Sequence, residues 1–234
     1  MENKNIKAIF FDAADTLFYI KDGLGNTYAE PAKKYGVNPD PDDLKRSFSK
    51  HFPSAPPLAF ETKNNEELKV LEKAWWYNVV HNVYSDIGMF EEFDDYFDDL
   101  FETFRTTAWK IYPETKDVLS ELKSREYKIV VVSNFDSRIY DVCRGMEILG
   151  QFDDFVISSE SGYAKPSVEI FQLALKRNGL IATDCVHIGD NYMNDYICPN
   201  SLGMNTIFLD RENEHPDKDI HKIKDLNELL KILN

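Results

Sequence analysis

Apolar residues follow two rhythms along this chain. Between Asn26 and about Trp109 no strand-like alternation stands out, and apolar positions recur at helical spacing. Outside that stretch, short apolar runs alternate with amphipathic segments. The first run, Ile6 to Phe11, suits a strand buried on both faces and stops abruptly at Asp12. Past Trp109 the pattern predicts a helix over Pro113–Arg125 and a strand over Lys128–Val132 that ends in Ser133–Asn134. A helical segment over Ser137–Leu149 and a strand over Asp154–Ile157 follow. Next come a helix over Pro166–Asn178 closed by Gly179, and a strand over Cys185–Ile188 that runs into Gly189–Asp190. The chain finishes with a helix over Tyr192–Leu202, broken or kinked at Pro199, a strand over Asn205–Leu209 and a helix over Asp225–Leu233. Such alternation predicts an α/β fold with a doubly wound parallel sheet and right-handed crossovers.

The interruption predicts helices only. They cover Thr27–Tyr35, which stops at Gly36, then Asp42–Lys50, Asn64–Ile87 and Glu91–Thr107. Gly23 and Gly25 mark a turn before them, and the three-proline stretch His51–Phe60 reads as a loop. The segment is far too long for an ordinary loop. Residues 1–19 and 109–234 are therefore expected to form an α/β core, and 20–108 an inserted all-helical domain. In its last helix Phe90, Phe93, Phe97, Leu100, Phe101 and Phe104 share one stripe, while Glu91, Glu92, Asp94, Asp95, Asp98 and Asp99 lie largely on other faces. That is a solvated acidic face over an aromatic core, with a docking surface for a basic partner as the alternative; Trp75 and Trp76 are read as core residues of the same unit, one of which could line the cleft.

Composition narrows the classes. At 234 residues and 43% hydrophobic, the chain can bury a real core. No apolar run approaches a membrane span, and the N-terminus lacks a signal-peptide pattern, so a cytoplasmic protein is expected. Cys143, Cys185 and Cys198 are an odd number without paired spacing, which argues against a disulfide framework or a zinc site. A formal net charge of −14 repels nucleic acid and anionic membrane. A phosphorylated small molecule would need a local pocket with its own cations.

Four strand ends or loops present polar residues: Asp12 with Thr16, Ser133 with Asn134, Lys165 in GYAKPS, and Asp190 with Asp195 in GDNYMND. Ligands in parallel sheets bind beyond the carboxyl ends of the strands. Asp12 there can act as nucleophile or metal ligand, or merely close a turn. His187 lies inside its strand and is read as structural, and Ser133 sits in no nucleophile elbow.

In order and spacing, FFDAADTL, VVVSN, AKP and GDNYMND resemble the four motifs of the haloacid dehalogenase-like hydrolase superfamily. The helical insertion resembles its C1-type cap, and WWYNVV followed by Gly88 resembles the cap of the subgroup typified by haloacid dehalogenase-like hydrolase domain-containing protein three. The resemblance implies a Rossmann-like core under a helical cap. It implies a phosphatase or phosphotransferase in which Asp12 attacks phosphorus and Mg²⁺ is held by Asp12, Asp190 and the backbone carbonyl of Ala14. Ser133 and the Asn134 backbone would bind phosphoryl oxygens. Lys165 would neutralise charge, Thr16 would brace the first loop, and Asp195 would orient a metal-bound water or brace its own loop.

One position departs from that pattern. The family phosphatases carry an Asp acid/base two residues after the nucleophile, where this chain has Ala14. Losing such a group costs ~10²–10⁴ in rate. Asp15 is next to it, but adjacent side chains in such a loop are expected to point apart. Acyl phosphates, which need little protonation, would suffer least. Dehalogenases of the superfamily also lack that Asp and need no metal, but they use an Arg from the start of the cap. Lys33, Lys34 and Arg46 offer no match there. A catalytically silent binding protein is the third reading.

Overall fold

The computed structural model describes residues 6–215 and 220–233. Its strands are β1 (Ala8–Phe11), β2 (Phe18–Ile20), β3 (Trp109–Ile111), β4 (Lys128–Ser133), β5 (Asp154–Ile157), β6 (Cys185–Gly189), β7 (Asn205–Leu209) and β8 (Lys222–Ile223). Six of them form one sheet in the order β5-β4-β1-β6-β7-β8, and every pairing is parallel. In β1 the side chains alternate between faces. Ile9 and Phe11 join a core with Val118, Leu122 and Ile139. Ala8 and Phe10 join a second core with Ile170, Phe171 and Cys198. A strand buried from both sides explains why Ile6–Phe11 carries no polar alternation.

Four helices, α1 (Leu24–Ala32), α2 (Pro41–His51), α3 (Asn65–Ile87) and α4 (Phe93–Thr106), separate β2 from β3. Their starts follow from the sequence. Asp40 accepts from the backbone N–H groups of Asp42 and Asp43, with Pro41 at the first helical position, and Asn64 caps α3 through Glu66 and Glu67. Gly25 of α1 is buried against α2, and a Cβ there would meet the Pro41 carbonyl oxygen at 2.0 Å. Phe93, Phe97 and Leu100 are buried with Leu44, Val83 and Tyr84 in a core of their own. The acidic residues Asp94, Asp95 and Asp98 are exposed, as the stripe predicts.

The remaining helices are α5 (Thr115–Ser124), α6 (Ile139–Gly145), α7 (Ser158–Ser161), α8 (Val168–Asn178), α9 (Cys198–Ser201) and α10 (Asn227–Ile232). Several expectations need correction. Strands β2 and β3 pair antiparallel, Phe18 opposite Ile111 and Ile20 opposite Trp109, where no strand was expected. Three residues are too few to display alternation. Strand β8 and helix α7 were missed for the same reason. The segment Ser137–Leu149 is helical only over α6, because Glu147 turns to φ 62° beyond its end. The helix expected over Tyr192–Leu202 is a π-helix over Tyr192–Ile197 followed by α9, and Pro199 sits in the first turn of α9 instead of breaking it.

A buried tyrosine chain ties the helical unit together. Tyr84 Oη donates to Tyr96 Oη (2.9 Å), which donates to the Tyr28 carbonyl (3.0 Å). Replacing Tyr96 by Phe strands the buried Tyr84 hydroxyl and removes a second bond to the Tyr28 carbonyl, so Tyr96→Phe should lower unfolding stability by about 1–3 kcal/mol in urea titration. A change within error would show that the two groups find other partners.

Candidate active site

The register of the sheet brings three strand ends to one edge. Phe11 lies opposite Val131 of β4 and Ile188 of β6. Asp12, Ser133 and Asp190 consequently emerge together. Lys165, from the loop between α7 and α8, reaches in and is almost completely buried. Its Nζ is 2.6 Å from Asp12 Oδ1 and 2.6 Å from Asp195 Oδ1. Ser133 lies close enough to Asp12 to lower its pKa, and Thr16 Oγ1 donates to Asp190 Oδ1 (3.0 Å). All the side chains singled out in the sequence therefore belong to one site, with Asn134 and Asp195 in specific supporting positions.

Asn134 faces the lysine loop. Its side chain receives the Lys165 N–H (2.7 Å) and donates to the Lys165 carbonyl (2.8 Å), fixing the backbone from which the ammonium extends. Asp195 accepts from Lys165 and sits 3.0 Å from His187 Nε2 through Oδ1, and it accepts from the Asn191 N–H (3.1 Å) through Oδ2. His187 is a buried strand residue, as read, but its tie to Asp195 was missed because it needs the turn after β6 to fold back. That turn explains Gly189: a Cβ there would lie 2.4 Å from Asp195 Cγ. Arg211 was missed too. It donates to the Thr16 carbonyl (2.8 Å) and pairs with Glu114 (2.8 Å) over the Tyr112 ring. No local pattern announces a contact 195 residues away in sequence.

The charges do not balance. One carboxylate oxygen from each of Asp12, Asp190 and Asp195 lies within 4.8 Å of the other two. Burial works against charge on Lys165, but Asp12 and Asp195 outweigh it and hold the ammonium protonated well above its usual range. Burial also opposes ionisation of Asp195, yet Lys165 and then His187 overcome this and hold its carboxyl down at about 2. Burial raises the pKa of Asp12 more than Lys165 lowers it. Burial, then Asp12, Asp195 and Asp15, push Asp190 up to about 8. His187 is kept neutral chiefly by burial. Three clustered carboxylates sharing one ammonium are a donor set that fits a hard divalent cation with oxygen ligands.

The site opens into a cavity of about 810 Å³ beneath the helical unit. Ala14, Asp15, Asn134 and Lys165 line it at this end. Asp15 takes a left-handed backbone (φ 59°). Trp75 and Trp76 pack in the helical unit and also line the cavity.

The chain belongs to the haloacid dehalogenase-like hydrolases, whose family model matches residues 6–199. Among curated relatives, it is 27% identical over 211 residues to haloacid dehalogenase-like hydrolase domain-containing protein 3 of Danio rerio, covering 89% of this chain and 86% of that protein. Among solved structures it resembles a HAD phosphatase from Thermococcus onnurineus, with a TM-score of 0.69, 21% identity and 98% of each chain covered. It also resembles 2-haloacid dehalogenase from Pseudomonas syringae pv. Tomato DC3000, with a TM-score of 0.62, 23% identity, and 97% of this chain and 98% of that one covered. Both likenesses show the Rossmann-like fold alone. Among the described residues, no helix is long and apolar enough to cross a membrane.

The raised Asp190 carboxyl makes a signed prediction. Without metal, the folded protein keeps a proton that the unfolded chain loses near 3.8, until the folded carboxyl ionises at about 8. Its contribution to stability is therefore present below the lower value and lost as pH rises through the upper one. A divalent cation pairs with the ionised form and opposes that loss. The metal-free unfolding temperature should fall across this window, and Mg²⁺ should raise it more near pH 8 than near pH 5. Asp190→Asn should flatten both trends. An Mg²⁺ shift that is equal at both pH values, or survives Asp190→Asn, contradicts this reading.

Proposed function

We propose that this chain is a Mg²⁺-dependent phosphatase or phosphotransferase for a small phosphorylated molecule, with residues 1–19 and 109–234 as catalytic core and 20–108 as a cap over the site. One observation carries the reading: Asp12, Asp190 and Asp195 cluster their carboxyl groups around a single ammonium, Lys165. The carboxylates of Asp12 and Asp190 and the carbonyl of Ala14 would hold Mg²⁺, which supplies charge neutralisation on the phosphoryl oxygens when bound. Asp195, already engaged by Lys165 and His187, holds the ammonium in place.

In the proposed reaction Asp12 Oδ attacks phosphorus, and the bond from phosphorus to the leaving oxygen breaks with its electron pair going to that oxygen. Ser133, the Asn134 backbone and Lys165 bind the equatorial oxygens and offset the charge repulsion of attack. Water then hydrolyses the aspartyl-phosphate and returns Asp12. Thr16 keeps Asp190 in register. Ala14 has no proton to give the leaving oxygen. Asp15, an exposed residue that also lines the cavity, is the neighbouring carboxyl, and desolvation followed by the Asp12 charge raises its pKa, the direction a general acid requires.

The dehalogenase reading finds less support. The cations at the start of the helical unit are engaged outside the cavity: Lys33 with Glu30, Lys34 with Asp99, and Arg46 with Asp43. Arg138 does line the cavity, but Asp136 holds it bidentately. A silent binding protein would have no use for a buried ammonium between two carboxylates.

Phosphate release from acetyl phosphate and p-nitrophenyl phosphate, with and without Mg²⁺, tests the proposal. Turnover should require the metal and vanish in Asp12→Asn. Ala14→Asp should raise p-nitrophenyl phosphate turnover by up to ~10²-fold, with a smaller effect on acetyl phosphate. Asp15→Asn should slow the aryl ester more than the acyl phosphate. Metal-free chloride release from 2-chloropropionate without any phosphate release would establish the dehalogenase instead.

A further inference from the structure

The cavity's walls are chiefly apolar and offer no free cation to a second anion. All three tryptophans of the chain, Trp75, Trp76 and Trp109, line it, together with Phe52, Leu100 and Phe135. The three indole N–H groups along the wall are already committed, that of Trp109 to the Phe104 carbonyl (2.8 Å). Trp75 Nε1 donates to the Pro56 carbonyl (2.9 Å), and Trp76 Nε1 donates to Asp136. Asn134 is spent on the Lys165 backbone. The cavity's two cations are Arg138, whose guanidinium is gripped by Asp136 and lies 3.9 Å from the Phe101 ring centroid, and Lys165, which is shared by Asp12 and Asp195. A second phosphate or carboxylate on the substrate would find neither free.

Size points the same way. Pockets for drug-sized ligands span ~300–1,000 Å³, and this one is about 810 Å³. A leaving group as small as glycerol would leave most of the space as water against apolar walls. An apolar ring system releases that water and meets aromatic surface from several sides.

Resting on the phosphatase reading, we infer that the preferred substrate is the phosphomonoester of a bulky apolar aromatic alcohol, of naphthalene size or larger. Its phosphate lies at Asp12 and its ring system lies between the tryptophans. The cavity thus sets specificity through KM.

Two readouts test this separately from the chemistry. The tryptophans report occupancy directly, so 1-naphthol, with no metal and no turnover, should quench intrinsic fluorescence with saturable binding. Phe52, which is 41% exposed on the cavity wall, can take a charge without burying it, and Phe52→Asp should weaken that binding about tenfold. Ala55→Glu, on the same wall, should do likewise. With Mg²⁺, 1-naphthyl phosphate should show a KM about tenfold below that of phenyl phosphate, whose leaving group has similar acidity. Naphthol binding that responds to both variants, but no phosphate release from either ester, would support the cavity assignment and sink the phosphatase reading. Phosphate release with equal KM for both esters, and no naphthol quenching, would keep the phosphatase and overturn the cavity assignment. Quenching unchanged in correctly folded Phe52→Asp and Ala55→Glu would also overturn it.

Discussion

The structure turns on one buried ammonium. Lys165 Nζ lies between Asp12 and Asp195, each at 2.6 Å, and its side chain is almost sealed from solvent. Burying a charge costs several kcal/mol unless good partners surround it, and even then an apolar replacement is often as stable. Stability alone therefore does not account for this lysine. Its demand for two carboxylates does account for the local architecture. The end of β1, the loop before α8 and the turn after β6 must all converge, and Gly189 must lack a side chain so that Asp195 can come close. The pair of hydrogen bonds between Asn134 and the Lys165 backbone draws the end of β4 into the same knot.

The helical unit is bound to this knot by a second polar cluster. Asp136, two residues beyond Asn134, accepts from Trp76 of α3 and holds Arg138, while Glu72 of α3 receives the Ser137 N–H (2.9 Å). Burial raises the Glu72 carboxyl and the Ser137 hydroxyl opposes this, so the contact is costly unless kept whole. The loop that follows Ser133 thus meets the carboxylate-lined edge of the sheet on one side and the roof of the cavity on the other. Any movement of α3 relative to the sheet must break these bonds or carry the loop with it.

The sequence made the sheet legible because β1, β4, β6 and β7 are buried runs long enough to read, each ending in polar residues. Asp12, Lys165, Asp190 and Asp195 could be read together only through the spacing of four motifs, since each alone has an ordinary structural explanation. What stayed hidden came from distance or brevity. Strands β2 and β3 are too short for a period to emerge. The Arg211 bond to Thr16 and the His187 bond to Asp195 depend on tertiary folding. The left-handed backbone at Asp15 was not read either, although Asp is among the few residue types that accept such a conformation readily. Trp75 and Trp76 were read correctly as packed, but a packed aromatic can also be a wall, and periodicity does not distinguish the two.

Ala14 and the apolar cavity bear on the proposed substrate independently, and they agree. A site without the usual proton donor favours an alcohol that can depart with little help. Phenolic hydroxyls ionise near pH ~10, far below alkyl alcohols, so an aryl oxygen needs less protonation in the transition state. The cavity favours aryl groups for a different reason, the release of water from aromatic walls. The net charge of −14 adds a third constraint, because long-range repulsion penalises substrates that carry more anionic charge than the phosphate itself. A monophosphate on an otherwise uncharged aromatic body is the chemistry on which the missing acid, the apolar wall and the acidic surface converge. In that light the alanine at position 14 is consistent with a narrowed choice of leaving group, so it is not by itself evidence of lost function.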